Sequence, residues 1–142
     1  MALVASHKYI GGGHSNAREV ATAYYDFAED GGAAGDFDLF TANEAIIIVD
    51  FYAIVLTACT SGGSAVVDVG IDGGDEDALL DNVAVGSLTA NAVFDSPLVE
   101  GTPNTRNDKV YLAAAGVVQM TISTAALTAG KIKYVCEYVR AS

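Results

Sequence analysis

The residues best suited to chemistry lie near the start of the chain. The stretch GGGHSNA, residues 11–17, sets Ser15 behind three glycines, close to the G-x-S-x-G turn that lifts a nucleophilic serine between a strand and a helix. Such a serine needs a histidine base and an oxyanion hole. The only histidines are His7 and His14, both ahead of Ser15. Another order of triad residues is possible in principle, but His7 would have to fold back across a glycine-rich joint, and no oxyanion-forming sequence is evident. Gly11 to Gly13 therefore reads as a hinge. The two imidazoles are of the right type to hold a metal. A site needs three or four convergent ligands, however, and nothing near them in sequence completes the set.

Carboxylates are densest in DVGIDGGDEDALLD, which carries Asp68, Asp72, Asp75, Glu76, Asp77 and Asp81. Oxygen ligands on a glycine-rich loop suit Ca²⁺, but the EF-hand spacing is absent. The segment reads as a solvated loop with an acidic helix start, and Ca²⁺ binding stays open. Glycosidase carboxylates generally work beside aromatic platforms, and the chain has no Trp. The runs GGG and GGAAG lack the Lys-Ser/Thr of a phosphate loop. Cys59 and Cys136 lack C-x-x-C spacing and sit in apolar runs, so they read as buried free thiols, with their pairing left open. The sequence thus offers no catalytic, cofactor-binding or metal site, and the expectation is a protein that is not an enzyme.

The whole chain narrows the classes further. At 142 residues it is expected to form one domain, and 51% hydrophobic residues is enough for a packed core. Eighteen acidic against seven basic residues give a formal net charge of −11. That balance repels phosphate backbones and anionic membranes, so neither nucleic acid nor membrane is an expected partner. No basic segment followed by an apolar run is present near Met1, and the longest uncharged stretch is broken by Ser61-Gly62-Gly63-Ser64.

These residues must be positioned by short elements. Residues 1–16 show no sustained periodicity and read as a flexible N-terminal arm, leaving 17–142 as the folded domain. VATAYYDF, residues 20–27, is expected to be a strand, with Phe37–Thr41 as its hairpin partner after the GGAAGD turn. AIIIVDFYAIVLTACT, residues 45–60, is a very long strand that is apolar on both faces, hence central and bent or bulged near Asp50. Ala65–Ile71 returns from the glycine turn. DEDALLD, residues 75–81, is the one helical candidate, capped by Asp75 with Leu79 and Leu80 inward. Strands follow at 90–94, 110–115, 117–123 and 131–140. The last alternates Ile132, Tyr134, Cys136 and Tyr138 with Lys131, Lys133, Val135 and Glu137. About eight short strands with glycine-rich turns indicate an all-β class, a single antiparallel β-sandwich of jelly-roll type with one short helical turn.

The order of segments carries a resemblance. LFTANEAII leading into the long strand, the LTACTSGG turn, DVGIDGGDEDALL, and the closing LTAGKIKYVCEYV resemble small β-sandwich proteins from the structural genes of tailed bacteriophages. Some of those are capsid decoration (cement) proteins or head fibres. The resemblance spans residues 20–139 and consists of packing and turn signatures. It implies a structural virion protein on the outer capsid surface, partnered by the major capsid protein and by itself as a homo-oligomer, with a homotrimer as the expected form. Under it His7, Lys8, Tyr9, Ile10 and His14 of the arm would touch the capsid, and removing residues 1–13 would leave the oligomer folded. A carbohydrate- or receptor-binding module of a tail or fibre is the alternative.

Overall fold

The computed structural model describes residues 8–10, 17–96 and 109–141. These form ten strands: β1 (Lys8–Ile10), β2 (Glu19–Asp26), β3 (Gly35–Ala42), β4 (Ile46–Ser61), β5 (Val66–Ile71), β6 (Leu80–Ala84), β7 (Val93–Asp95), β8 (Val110–Leu112), β9 (Val117–Ser123) and β10 (Leu127–Arg140). One sheet runs β1-β3-β9-β5-β6; the other runs β2-β10-β4-β7, with β8 also on β4. Every pairing is antiparallel except β1 on β3.

Setting β1 and β8 aside, the pairs are nested. β2 pairs with β10, β3 with β9, β4 with β7 and β5 with β6, and successive pairs alternate between sheets. That nesting is the jelly roll, a β-sandwich of two four-stranded Greek keys. The expected hairpin of 20–27 with 37–41 is therefore not formed, because β2 and β3 belong to opposite sheets. Tyr25 and Phe37 instead meet across the core, ring centroids 5.5 Å apart and edge to face. β5 likewise crosses to the other sheet after the Ser61–Ser64 turn.

A short helix, α1 (Phe27–Asp30), turns the corner after β2. Asp26 Oδ1 accepts from Ala28 N at 3.0 Å, and Asp30 Oδ2 accepts from Asp26 N at 2.9 Å. These reciprocal bonds satisfy backbone donors as a capping box does. The helix expected at 75–81 is absent; turns occupy the segment. Asp75 O accepts from both Ile71 N and Ala78 N, and Leu79 N is drawn to Val69 O, so the loop folds back on β5 rather than winding up. Leu79 and Leu80 do reach the core, as expected.

β4 spans sixteen residues and is bulged where the sequence suggested. Glu137 lies opposite Asp50 but Tyr138 lies opposite Ile48, leaving Val49 without a partner. The extra residue flips the side-chain phase. Ile46 and Ile48 point inward before it; Phe51, Ala53 and Val55 point inward after it. Phe51 stacks on Tyr134 at 6.0 Å and meets Phe40 of the facing sheet at 6.3 Å, so the bulge places the ring that ties the two layers together. Cys59 and Cys136 are both free and buried. Cys59 lies against Gly130, where an added Cβ would come within 2.4 Å of its sulfur. Gly130 and Cys136 are six residues apart on β10, roughly 20 Å along a strand, which is beyond disulfide reach.

Candidate functional site

The two sheets turn chemically different outer faces to their surroundings. On the first, β3, β9, β5 and β6 contain Asp36, Asp38, Asp68 and Asp81 and no Lys or Arg. Its polar groups bond to one another. Thr121 Oγ1 donates to Asp36 at 2.8 Å, Gln119 Nε2 donates to Asp38 at 2.8 Å, and Asp68 accepts from Asn82 N at 2.6 Å. Cross-strand pairs of this kind hold carboxylates upright at a wet surface.

Beyond β5 this face opens into a cleft of about 520 Å³ lined by Asp68, Asp75, Glu76, Asp77, Asp81 and Thr121. Gly70 makes the cleft possible. A Cβ there would lie 2.1 Å from the Glu76 carbonyl carbon, so only glycine lets the loop press this closely on β5. The Asp75 carboxyl is raised above its ordinary value, first by a side-chain hydrogen bond with Asp77 and then by burial. Among the described residues, no three His, Cys, Asp or Glu side chains are grouped to hold a metal ion.

The second outer face is set by the register of β2, β10, β4 and β7. Crosswise rows read Val20–Glu137–Asp50, then Thr22–Val135–Tyr52–Asp95, then Tyr24–Lys133–Ile54–Val93, then Asp26–Lys131. At one end Val139, Ile47 and Tyr111 continue the face. Among the described residues, the four exposed large hydrophobic residues, Val20, Leu56, Val93 and Tyr111, are on strands of this sheet; Val20, Val93 and Tyr111 are more than half exposed. The cations gather here too. Arg18 pairs with Glu137 at 3.4 Å, and Lys131 pairs with Asp26 at 3.7 Å and stands over the Tyr24 ring; Arg140, opposite the inward-facing Ile46, pairs with Glu44 at the end of the sheet and not on this face. In a chain of charge −11, this face is nearly neutral and rich in apolar side chains, the composition of a protein-binding surface rather than a solvated one.

The residues expected to touch a capsid fall differently. Lys8–Ile10 forms β1, parallel to Phe40–Ala42, and Ile10 O accepts from Asn43 N at 2.7 Å. Ile10 is 2% exposed and belongs to the core, which removes its side chain from the contact residues. Within the expected arm of residues 1–16, Lys8–Ile10 is paired with the sandwich: β1 extends the sheet past β3 and buries an apolar side chain. His7, His14 and Ser15 lie outside the described residues.

The thiols are not set up for nucleophilic chemistry. Burial pushes Cys59 up to about 11, and burial raises Cys136 further still, so both stay protonated and inert near neutral pH. Burial also raises the Tyr25 and Tyr134 hydroxyls. The division of the surface into an acidic and a near-neutral face was missed from sequence. Its signal was present in the alternation of Lys131 and Lys133 with buried residues; the lack of any cation from residue 19 to 105 covers strands of both sheets and does not separate the faces.

No family model matches the chain, and no curated protein does. Two solved structures share its fold. A chain of the acidic stable capsid structure of Helicobacter pylori bacteriophage KHP30 superposes with a TM-score of 0.59 at 14% identity, covering 88% of this chain and 89% of that one. A chain of the capsid of Ralstonia phage GP4 does so with a TM-score of 0.56 at 18% identity, covering 87% and 86%. At these identities the likeness is one of fold, and it extends over nearly the full length of each partner.

Proposed function

We propose that the chain is a structural protein of a bacteriophage virion, a decoration protein that binds the outer capsid lattice as a homo-oligomer and stabilises it. The observation that carries this reading is the fold match, over most of each chain, to chains from two phage capsid structures. Fold alone does not set role, so the chemistry of the surface must agree with it, and it does. One face is acidic and internally hydrogen-bonded, suited to water. The other is near-neutral and apolar, suited to protein.

In this reading the sandwich is a rigid body with several weak contacts. Each copy touches the lattice through the segment around β1, with His7, Lys8, Tyr9 and His14 as contact residues, and copies touch one another through the sheets. Linked weak contacts add as avidity, so a capsid can be clamped without any single strong interface. The test is electron cryo-microscopy of particles whose genome encodes this chain. Density for the sandwich at regular positions on the outer capsid supports the reading. Density confined to the tail overturns it and favours a tail- or fibre-borne carbohydrate-binding module.

A further inference from the structure

We propose that the outer face of the β2-β10-β4-β7 sheet binds a second copy of this chain, about a twofold axis that lies in the interface, crosses β10 at Val135 and reverses the strand direction. The contact depends only on this face and stands whether or not the chain decorates a capsid. It also makes the elementary unit a pair in place of the expected trimer.

The argument is self-complementarity, which any isologous contact requires. Reversing β10 about Val135 lays Lys133 over Glu137 of the other copy, with that copy's Asp50 beside it. The same operation lays Asp26 over Arg18, Tyr24 over Val20, and Leu56 over Ile47 and Tyr111. The Lys133–Glu137–Asp50, Tyr24–Val20 and Ile47–Tyr111 positions follow from the register of the sheet, with Arg18 one residue ahead of β2 and Leu56 in the irregular stretch of β4 beside Lys131. The axis row, Thr22–Val135–Tyr52–Asp95, is uncharged on β2, β10 and β4 and sets Asp95 of the edge strand β7 near its own counterpart, one like-charge contact against four of opposite charge (Lys133–Glu137 twice and Asp26–Arg18 twice). Turning the sheet about an axis along the strands instead keeps β10 parallel to its copy and sets Lys131 and Lys133 over their own counterparts, so charge selects the reversed arrangement. Aligned sheets cross at about 30°, which leaves rows near the axis over one another.

Size and net charge agree. Four lanes about 5 Å apart, three of about 25 Å formed by β2, β10 and β4 and one of about 20 Å formed by β7 and β8 together, give a footprint of roughly 500 Å² per copy. The total of about 1,000 Å² meets the lower bound for a specific interface. Two chains of charge −11 repel, and pairing through this face keeps both acidic faces on the outside, as far apart as the sandwiches allow.

The test is sedimentation velocity of the full chain and of two variants, Lys133→Glu and Glu137→Lys, with thermal melts to check folding. The native chain is expected to sediment as a dimer. Each variant alone places like charges over one another twice and should bind itself at least about tenfold more weakly. An equimolar mixture restores both opposite-charge contacts, so the dimer should return as a heterodimer. A folding defect, or loss of the internal Arg18–Glu137 pair, would not be repaired by mixing. A monomeric or odd-numbered native assembly, variants that dimerise as the native chain does, or a mixture that stays monomeric would each overturn the proposal. Variants that lose capsid occupancy with self-association unchanged would also overturn it, and would assign the face to the capsid.

Discussion

Substituting Ile10 by Ala tests where the folded domain begins. Ile10 is 2% exposed and packs into the core from β1, a strand of three residues. Truncating a fully buried isoleucine to alanine costs about 2–5 kcal/mol, the spread reflecting how far the site can collapse. β1 lies at a sheet edge, where collapse is easiest, so the lower half applies and the expected loss is about 2–3 kcal/mol. The backbone pairing with Phe40–Ala42 and the Asn43 N to Ile10 O bond need no side chain and should persist. Urea unfolding should show an earlier midpoint with an unchanged slope, and the melting temperature should fall by roughly 6–10 °C for a domain of this size. A loss below about 0.5 kcal/mol would refute the reasoning and return residues 8–10 to a free arm. The consequence for function is direct. Removing residues 1–13 deletes a core side chain together with any capsid contact, whereas removing 1–7 leaves Ile10 in place. The shorter truncation should melt like the native chain and bind capsids less well; unchanged occupancy would end the contact role of that segment.

Gly70→Ala should destabilise by about 2 kcal/mol or more, because the new methyl meets backbone of the Asp75–Glu76 segment and cannot be relieved by a rotamer; a native-like melt would mean that the loop lifts off β5 freely. Tyr134→Phe should leave stability unchanged or raise it by up to about 1 kcal/mol, since the hydroxyl is buried without a hydrogen-bond partner while the ring stacks on Phe51. A loss above about 1 kcal/mol would show that the hydroxyl is bonded. Raising pH should weaken the fold: the Cys59 thiol ionises near 9.0 when unfolded and near about 11 when buried, so its contribution is whole below 9.0 and lost as pH rises toward 11. Cys136 and Tyr25 shift the same way. Urea midpoints at about pH 8 and about pH 10.5 check this, and equal midpoints would refute it.

Sequence reading recovered what is local. β9 occupies 117–123 as expected, β4 keeps its full length, and the bend near Asp50 is the bulge at Val49. Those signals come from alternation and from a charged residue interrupting an apolar run. Pairing was not legible, because Gly31-Gly32 and Gly62-Gly63 announce that the chain turns but not which sheet it enters. The helix expected at 75–81 failed for a related reason: composition favoured a capped acidic start, while the bond from Leu79 N to Val69 O ties the segment back to β5. The cap that does exist pairs Asp26, near the end of the segment 20–27 read as strand, with Asp30 just beyond it. The candidate site was the least legible part. Its rows are assembled from residues as far apart as Val20 and Glu137, and only the register of the finished sheet brings them together.

The nested pairing has a consequence for how the protein comes into being. β10 is central in its sheet, hydrogen-bonded to β2 on one side and β4 on the other, yet it comes last in chain order among the ten described strands. Until the ribosome has released residues 127–140, β2 and β4 face an empty lane, with Tyr25, Phe51 and Val55 uncovered. Joining strands separated by most of the domain is entropically slow, so the sandwich cannot close before β10 has emerged, and the earlier strands are exposed to aggregation while they wait. A ribosome-bound fragment ending before residue 127 would be a sticky, protease-sensitive chain and not a smaller version of the same sandwich.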